Sequence, residues 1–205
     1  MKGMTDLKRI GIKLFKNIIK EARHDQTLLD SYSPNQFKSK QNLLKHVYTL
    51  PLTKPNVVIL GSWFGSILVP ALVNIANHIS CVDSDDRVIK IAKNRLFGMY
   101  KNITWYNKDV WNEEYWHKIR EADLIINTSC EHMANMSSLP PLKQSNAYFA
   151  FQSNNMYNIE THINCVSDLN EFIKQLPIKA RVLIKDKVKD DRGTRFTLIG
   201  KLCAE

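Results

Sequence analysis

Short apolar runs recur along this chain, each followed by a turn and then by a stretch with helical spacing. Asn56–Leu60 (NVVIL), Ile79–Asp83 (ISCVD), Ile103–Tyr106, Asp123–Asn127 (DLIIN) and Ala147–Phe151 are short and mostly β-branched or aromatic, which reads as strands. Helical stretches follow at Ile67–Asn77, Asp85–Leu96, 112–121 and Ser167–Leu176. Strands that alternate with helices need crossover connections, and crossovers give a parallel sheet with helices on both faces. Two last runs, Ala180–Lys187 and Thr194–Leu202, flank Asp190-Asp191-Arg192-Gly193, a hairpin-type turn that makes the end of the sheet antiparallel. The expected fold is therefore α/β and doubly wound, with a mostly parallel seven-stranded sheet and an antiparallel C-terminal hairpin strand.

Before the first strand the pattern is helical. In residues 5–22, Leu7, Ile10, Leu14 and Ile18 recur at helical spacing, with Ile12, Phe15 and Ile19 beside them and lysines filling much of the rest. A helix packed on its own domain is expected, and a membrane-surface helix is the alternative. Ser33-Pro34-Asn35-Gln36 has the form of a capping box, with Leu43, Leu44, Val47 and Tyr48 on the buried side of the helix that it opens. Pro51 and Pro55 punctuate a linker, so residues 1–54 are expected as a helical extension, a cap on the main domain at 55–205.

The formal charge of +9 is unevenly spread, with +7 in residues 1–54, −2 in 55–178 and +4 in 179–205. Basic ends around a near-neutral body admit a phosphate-bearing partner, but lysine-rich surfaces are commonly just solvated. No apolar run reaches the ~20 residues of a membrane span, and the N-terminus lacks the apolar core of a signal peptide. Cys81, Cys130, Cys165 and Cys203 form no C-x-x-C pair, which argues against a zinc ribbon and for a reducing, cytoplasmic setting.

Ligands of open parallel sheets bind beyond the carboxyl ends of the strands. The first strand ends in Leu60-Gly61-Ser62-Trp63-Phe64-Gly65-Ser66, where glycines let backbone come close to a ligand. The second ends in Asp83, 22 positions after Gly61, and a carboxylate there can accept from ribose hydroxyls or cap the next helix. The third is followed by Asn107-Lys108-Asp109-Val110, whose aspartate can face an adenine amino group or cap a helix near Asn112. The fourth runs into Asn127-Thr128-Ser129-Cys130-Glu131-His132-Met133, the densest chemical stretch of the chain. The fifth leads to Gln152-Ser153-Asn154-Asn155 and then to Glu160-Thr161-His162.

This order of elements, over residues 55–203, resembles the class I S-adenosylmethionine-dependent methyltransferases, which are Rossmann-like. The resemblance implies S-adenosyl-L-methionine as cofactor. It would place Gly61, Ser62, Trp63 and Gly65 around the methionine part, Asp83 and Ser84 at the ribose, and Asp109 and Val110 at the adenine. Asn127 would sit near the transferred methyl. Two positions depart from the family pattern: Ile59 stands where an acid is common, and Trp63 replaces the middle glycine.

At the fourth-strand loop, His132 is the candidate base and Glu131 its orienting group or a binder of a cationic acceptor. Ser129, Ser153 and Asn154 are candidate acceptor contacts, with Tyr32 and Lys40 from the extension. Cys130 lacks the neighbouring proline of cytosine-C5 enzymes, and Thr128-Ser129 lacks the prolines typical of the amino-methyltransferases of nucleic acids. Glu131, His132, Glu160 and His162 match no defined metal-ligand spacing, so no metal is expected. The expectation is a methyltransferase with a small-molecule acceptor. A nucleic-acid methyltransferase that grips phosphates through the basic ends is the first alternative. Two others are an enzyme that uses another carbon of the same cofactor and a non-catalytic binding module.

Overall fold

The computed structural model describes residues 13–204. Seven strands form one sheet: β1 Asn56–Leu60, β2 His78–Asp83, β3 Ile103–Asn107, β4 Leu124–Asn127, β5 Tyr148–Asn154, β6 Arg181–Lys189 and β7 Thr194–Lys201, in the order β3-β2-β1-β4-β5-β7-β6. The first five are parallel, and β7 runs antiparallel to both β5 and β6. All seven expected strands are present, and the sheet has the expected class.

Alternate strand residues serve two cores, as the two-residue period of a strand requires. Val57 and Ile59 join Ile79 and Cys81 under one helical layer, whereas Val58 and Leu60 join Val82, Ile125, Phe149 and Phe151 under the other. The first layer holds the helix of residues 13–22 (α1), α2 Gln26–Asp30, α3 Pro34–Val47, α4 Leu68–Leu72 and α5 Asp86–Ile91. The second holds α6 Glu113–Arg120, α7 Pro140–Lys143 and α8 Leu169–Lys174. Burial on both faces explains why the central strands read as continuous apolar runs.

The expected N-terminal helix is present over 13–22, with Leu14 and Ile18 packed on the core and Phe15 and Ile19 exposed; Leu7, Ile10 and Ile12 lie outside the described residues. In α3, Ser33 accepts the Gln36 backbone N–H at 3.4 Å and Pro34 opens the first turn. The reciprocal half of the box is missing, because the Gln36 side chain accepts instead from Lys40 Nζ at 2.5 Å. Leu43, Leu44 and Val47 are buried, but Tyr48 falls just past the helix end and is exposed. Ser39 donates to Gln152 of β5 at 2.9 Å, Thr197 of β7 donates to Asn42 at 3.0 Å, and His46 meets Asp186 of β6 at 2.7 Å. These bonds lay α3 across β5, β7 and β6 and bring Lys40 toward the strand ends.

The helix expected over Ile67–Asn77 is shorter. Regular α4 ends at Leu72, and the Asn102 side chain takes the carbonyls of Val73 and Ala76. Four short helices escaped the sequence pattern: α2, capped by Asp25, the turns Cys130–His132 and Met136–Ser138, and α7 after them. None is long enough to show a period. Among the described residues no helix is long and apolar enough to cross a membrane.

Candidate functional site

The chain runs outward from β1 to β2 and β3, then returns to β4 on the other side of β1, so the sheet reverses between β1 and β4. Leu60 and Asn127 are paired there, and the loops that follow them diverge to leave a crevice.

The β1 loop is built from three residues in the left-handed region, Gly61 (φ 61°), Trp63 (φ 48°) and Gly65 (φ 66°). Glycine adopts this conformation freely and tryptophan does not. Asp83 holds the strained residue: its Oδ2 accepts the Trp63 N–H at 2.8 Å, while Oδ1 accepts the Asp85 N–H at 3.0 Å. Asp85, not Asp83, caps α5, accepting from Val88 N–H at 3.2 Å. Asn112 likewise caps α6, so the Asp109 carboxylate is free of that task and accepts from Trp111 N–H at 3.0 Å. A Cβ at Gly61 would lie 2.5 Å from Met133 Cε, and one at Gly65 would lie 2.7 Å from Val69 Cγ2 and 3.0 Å from Trp105. Gly65→Ala is therefore expected to destabilise the fold by about 1–2 kcal/mol from its backbone conformation alone, read as a lower midpoint in urea denaturation.

A cleft of about 950 Å³ opens over these loops. Gly61, Ser62, Trp63 and Gly65 form one part of its wall, Asp83, Ser84, Asp109 and Val110 another, and Ser129, Glu131 and His132 a third. Lys40 lines it as well.

Asn127, Ser153 and Asn154 do not line the cleft, and all three are fully buried. Each is spent on its own loop. Asn127 Oδ1 accepts Ser129 N–H at 2.8 Å, Ser153 Oγ donates to Asn164 carbonyl at 3.5 Å, and Asn154 Oδ1 accepts Met156 N–H at 2.9 Å. Tyr32 faces a second, apolar groove with Leu14, Ile18 and Phe37, and Glu160 is exposed away from the cleft. Conversely, the sequence pattern assigned no ligand role to Gln36, Lys108, Trp111, Arg192 or Arg195, all of which line it.

Charge divides across the cleft. Asp83, Asp85 and Asp109 stand on the β2–β3 side, where Lys108 is the one lining cation among the described residues and is paired with Glu114. Lys40, Arg192 and Arg195 stand on the side of α3 and the β6–β7 hairpin, with Glu131 beneath them. Glu131 is only 2% exposed and Arg195 4%, and they meet at 3.3 Å between Oε1 and Nη1. Glu131 Oε2 has no hydrogen-bond partner among the described residues. Burial, with Arg195 and Arg192 nearby, lowers the Lys40 pKa to about 7 against the pull of Glu131. His132 is exposed, and its Nδ1 is 2.9 Å from the Thr161 carbonyl, which makes Nδ1 the protonated nitrogen and leaves the Nε2 lone pair free. Burial keeps the His162 imidazole below its ordinary pKa. Cys130 is 1% exposed, and burial together with Glu131 pushes its thiol well above the normal value. A thiol held protonated in this way is the opposite of an activated nucleophile.

No protein-family model matches the sequence, and no curated protein matches it. Solved structures match in fold. The N-methyltransferase NodS from Bradyrhizobium japonicum, in complex with S-adenosyl-L-homocysteine, superposes with a TM-score of 0.68 at 13% identity, over 93% of this chain and 98% of its own. Magnesium protoporphyrin IX methyltransferase (ChlM) from Synechocystis gives 0.62 at 10% identity, over 82% of this chain and 83% of its own. The Methanococcus jannaschii fibrillarin pre-rRNA processing protein gives 0.58 at 14%, over 77% and 70%. The chain has the class I methyltransferase fold.

Proposed function

We propose that this chain binds S-adenosylmethionine in the cleft and transfers its methyl group to a small acceptor that carries an anionic group. One observation carries the reading. The left-handed turn Gly61–Gly65 is tied to the Asp83 carboxylate at the point where the strand order reverses. The residues fit a nucleoside with a charged tail. Gly61 and Gly65 line the cleft, and the space a Cβ would take at each is already filled by Met133 at Gly61 and by Val69 and Trp105 at Gly65. Each Asp83 oxygen accepts one backbone N–H, and the remaining lone pairs suit ribose hydroxyls. Ser84 stands beside it. Asp109 offers an acceptor for an exocyclic amine, over the buried apolar side chain of Val110.

Bound there, the cofactor supplies a methyl group on an electrophilic sulfonium. The chain's own residues do the rest. Glu131 offsets Arg195, so Arg192, with Lys40 adding its charge only below about pH 7, supplies the positive potential that attracts and orients an anionic acceptor. His132, protonated on Nδ1 by its bond to Thr161, takes the acceptor's proton on Nε2. Ser129, on the cleft wall, offers the acceptor a hydrogen bond. Asn127, Ser153 and Asn154 act by holding the loops that carry these groups. The exposed residues Arg181, Lys185, Lys187 and Lys189 lie on edge strand β6, where charge is the common guard of an unpaired edge. That favours a small acceptor over a nucleic acid.

The test is product analysis with S-adenosylmethionine and a panel of carboxylate- and phosphate-bearing amines and alcohols. Acceptor-dependent S-adenosylhomocysteine is the expected product. Methylthioadenosine, or turnover only with RNA or DNA, would overturn the reading.

The Lys40 amine gives a further expected result. Its pKa is about 7 in the folded chain against about 10.4 when unfolded, so between these values the unfolded state binds more protons. Stability therefore rises with pH across that window, and the penalty for burying the ammonium is fully present below it. Lys40→Met is expected to be more stable than wild type at pH 7, with the difference shrinking toward pH 10, in urea denaturation at both values.

A further inference from the structure

We propose that Glu131, His132 and His162 form a site for a divalent transition-metal ion, of the zinc or cobalt kind, in the wall of the cleft. The site rests on side-chain geometry alone, and an ion bound at His132 Nε2 would replace that nitrogen as the acceptor of the substrate's proton.

One ligand atom from each residue lies within 4.8 Å of the other two. Adjacency of Glu131 and His132 argues against a shared ion when read along the chain, but the turn Cys130–His132 presents both to one point. His162 arrives from the loop after β5, and that loop is fixed to the turn by the Asn164 N–H, which donates to the Glu131 carbonyl at 2.9 Å. The two imidazoles stand edge to face at 4.6 Å.

Two independent features prepare these side chains as ligands. Glu131 is 2% exposed, and its Oε2 has no partner among the described residues, although a buried carboxylate oxygen left bare is costly. Arg195 binds only Oε1, so it orients the carboxylate and leaves Oε2 available. His132 Nδ1 donates to the Thr161 carbonyl, which fixes the ring and frees Nε2, the arrangement that metal-bound histidines commonly have. A tetrahedral ion with bonds of about 2.1 Å holds its donors about 3.4 Å apart. The three side chains, two on the turn Cys130–His132 and one on the loop after β5, need to close from within 4.8 Å by up to about 1.4 Å to reach that spacing.

Two imidazoles and one carboxylate are the donor set of open metal sites, in which the remaining position takes water or substrate. Arg195 offsets much of the carboxylate charge, and Arg192 and Lys40 on the same wall add to the repulsion of a cation, so the nitrogen donors must supply most of the affinity. That favours zinc or cobalt over magnesium or calcium, which prefer oxygen. The open position would face the cleft and take an acceptor oxygen or nitrogen.

The experiment uses the full chain, stripped with a chelator, and titrated with Co²⁺ by visible absorption and with Zn²⁺ by calorimetry. One equivalent should bind, and Mg²⁺ at the same concentration should give no heat. His132→Ala and His162→Ala should each weaken Zn²⁺ binding at least tenfold. Should His162→Ala fail to fold, the exposed His132 decides the matter alone. Failure of wild type to take up either ion, or equal affinity in a folded His132→Ala, would overturn the proposal. A parallel titration with S-adenosylhomocysteine on the metal-free chain separates the two readings. Nucleoside binding without metal uptake defeats this one only, and metal uptake without nucleoside binding defeats the cofactor reading only.

Discussion

Arg195→Met is expected to destabilise the chain by about 3–5 kcal/mol, because it leaves a buried carboxylate without its counter-charge. Glu131 and Arg195 are 2% and 4% exposed, and their ion pair spans the sheet end from the β4 loop to β7. Methionine matches the aliphatic part of arginine and removes only the charged head, so lost packing is a minor share. Glu131 Oε1 would then join Oε2 in having no partner. The Nε of Arg195 also stands 3.9 Å from Asp190 Oδ2, which would lose a neighbour too. The double variant Glu131→Gln/Arg195→Met separates charge from shape. It should recover most of the loss, since neither charge is then buried alone. Urea denaturation at pH 7 measures both. A loss below about 1 kcal/mol in the single variant would mean that water reaches Glu131 and that the pair behaves as a surface salt bridge.

Asp83→Ala is expected to weaken S-adenosylhomocysteine binding by about 1.5–3 kcal/mol, roughly 10- to 150-fold, through loss of charge-assisted hydrogen bonds to the ribose. The same change releases the Trp63 N–H, and Trp63 is the one residue of the β1 loop that needs help to stay at φ 48°. Part of the lost affinity will thus come from a looser loop. Asp83→Asn distinguishes the contributions: it keeps a carbonyl oxygen for one of the two backbone N–H groups while removing the charge. An intermediate affinity is expected for Asn. Full wild-type affinity in Asp83→Ala would show that the carboxylate serves the loop alone.

The contrast between these two sites explains what could be read from the residues. Asp83 was legible because its place depends on local facts: an apolar strand, its end, and the spacing from Gly61. Arg195 was not. It sits in a strand where alternation gives an arginine no reason to be buried, and its partner lies 64 positions earlier. Lys40 reaches the cleft only because α3 is laid across β5, β7 and β6 by Ser39, Asn42 and His46, contacts between residues more than 110 positions apart. Asn127, Ser153 and Asn154 misled in the other direction. Polar residues at strand ends read as ligand contacts, but the same hydrogen-bonding capacity also ties loops to the sheet. The strands were recoverable because burial on two faces writes itself as uninterrupted apolar runs. Their spatial order was not recoverable, since periodicity does not encode which strand pairs with which.

The proposed nucleoside site is the cleft over Gly61 and Asp83. Calorimetric titration of the wild-type chain with S-adenosylhomocysteine tests it most directly. The expected result is one saturable site per chain, with S-adenosylmethionine competing for it and adenosine alone binding more weakly. Absence of measurable binding to either compound at millimolar concentration would contradict it.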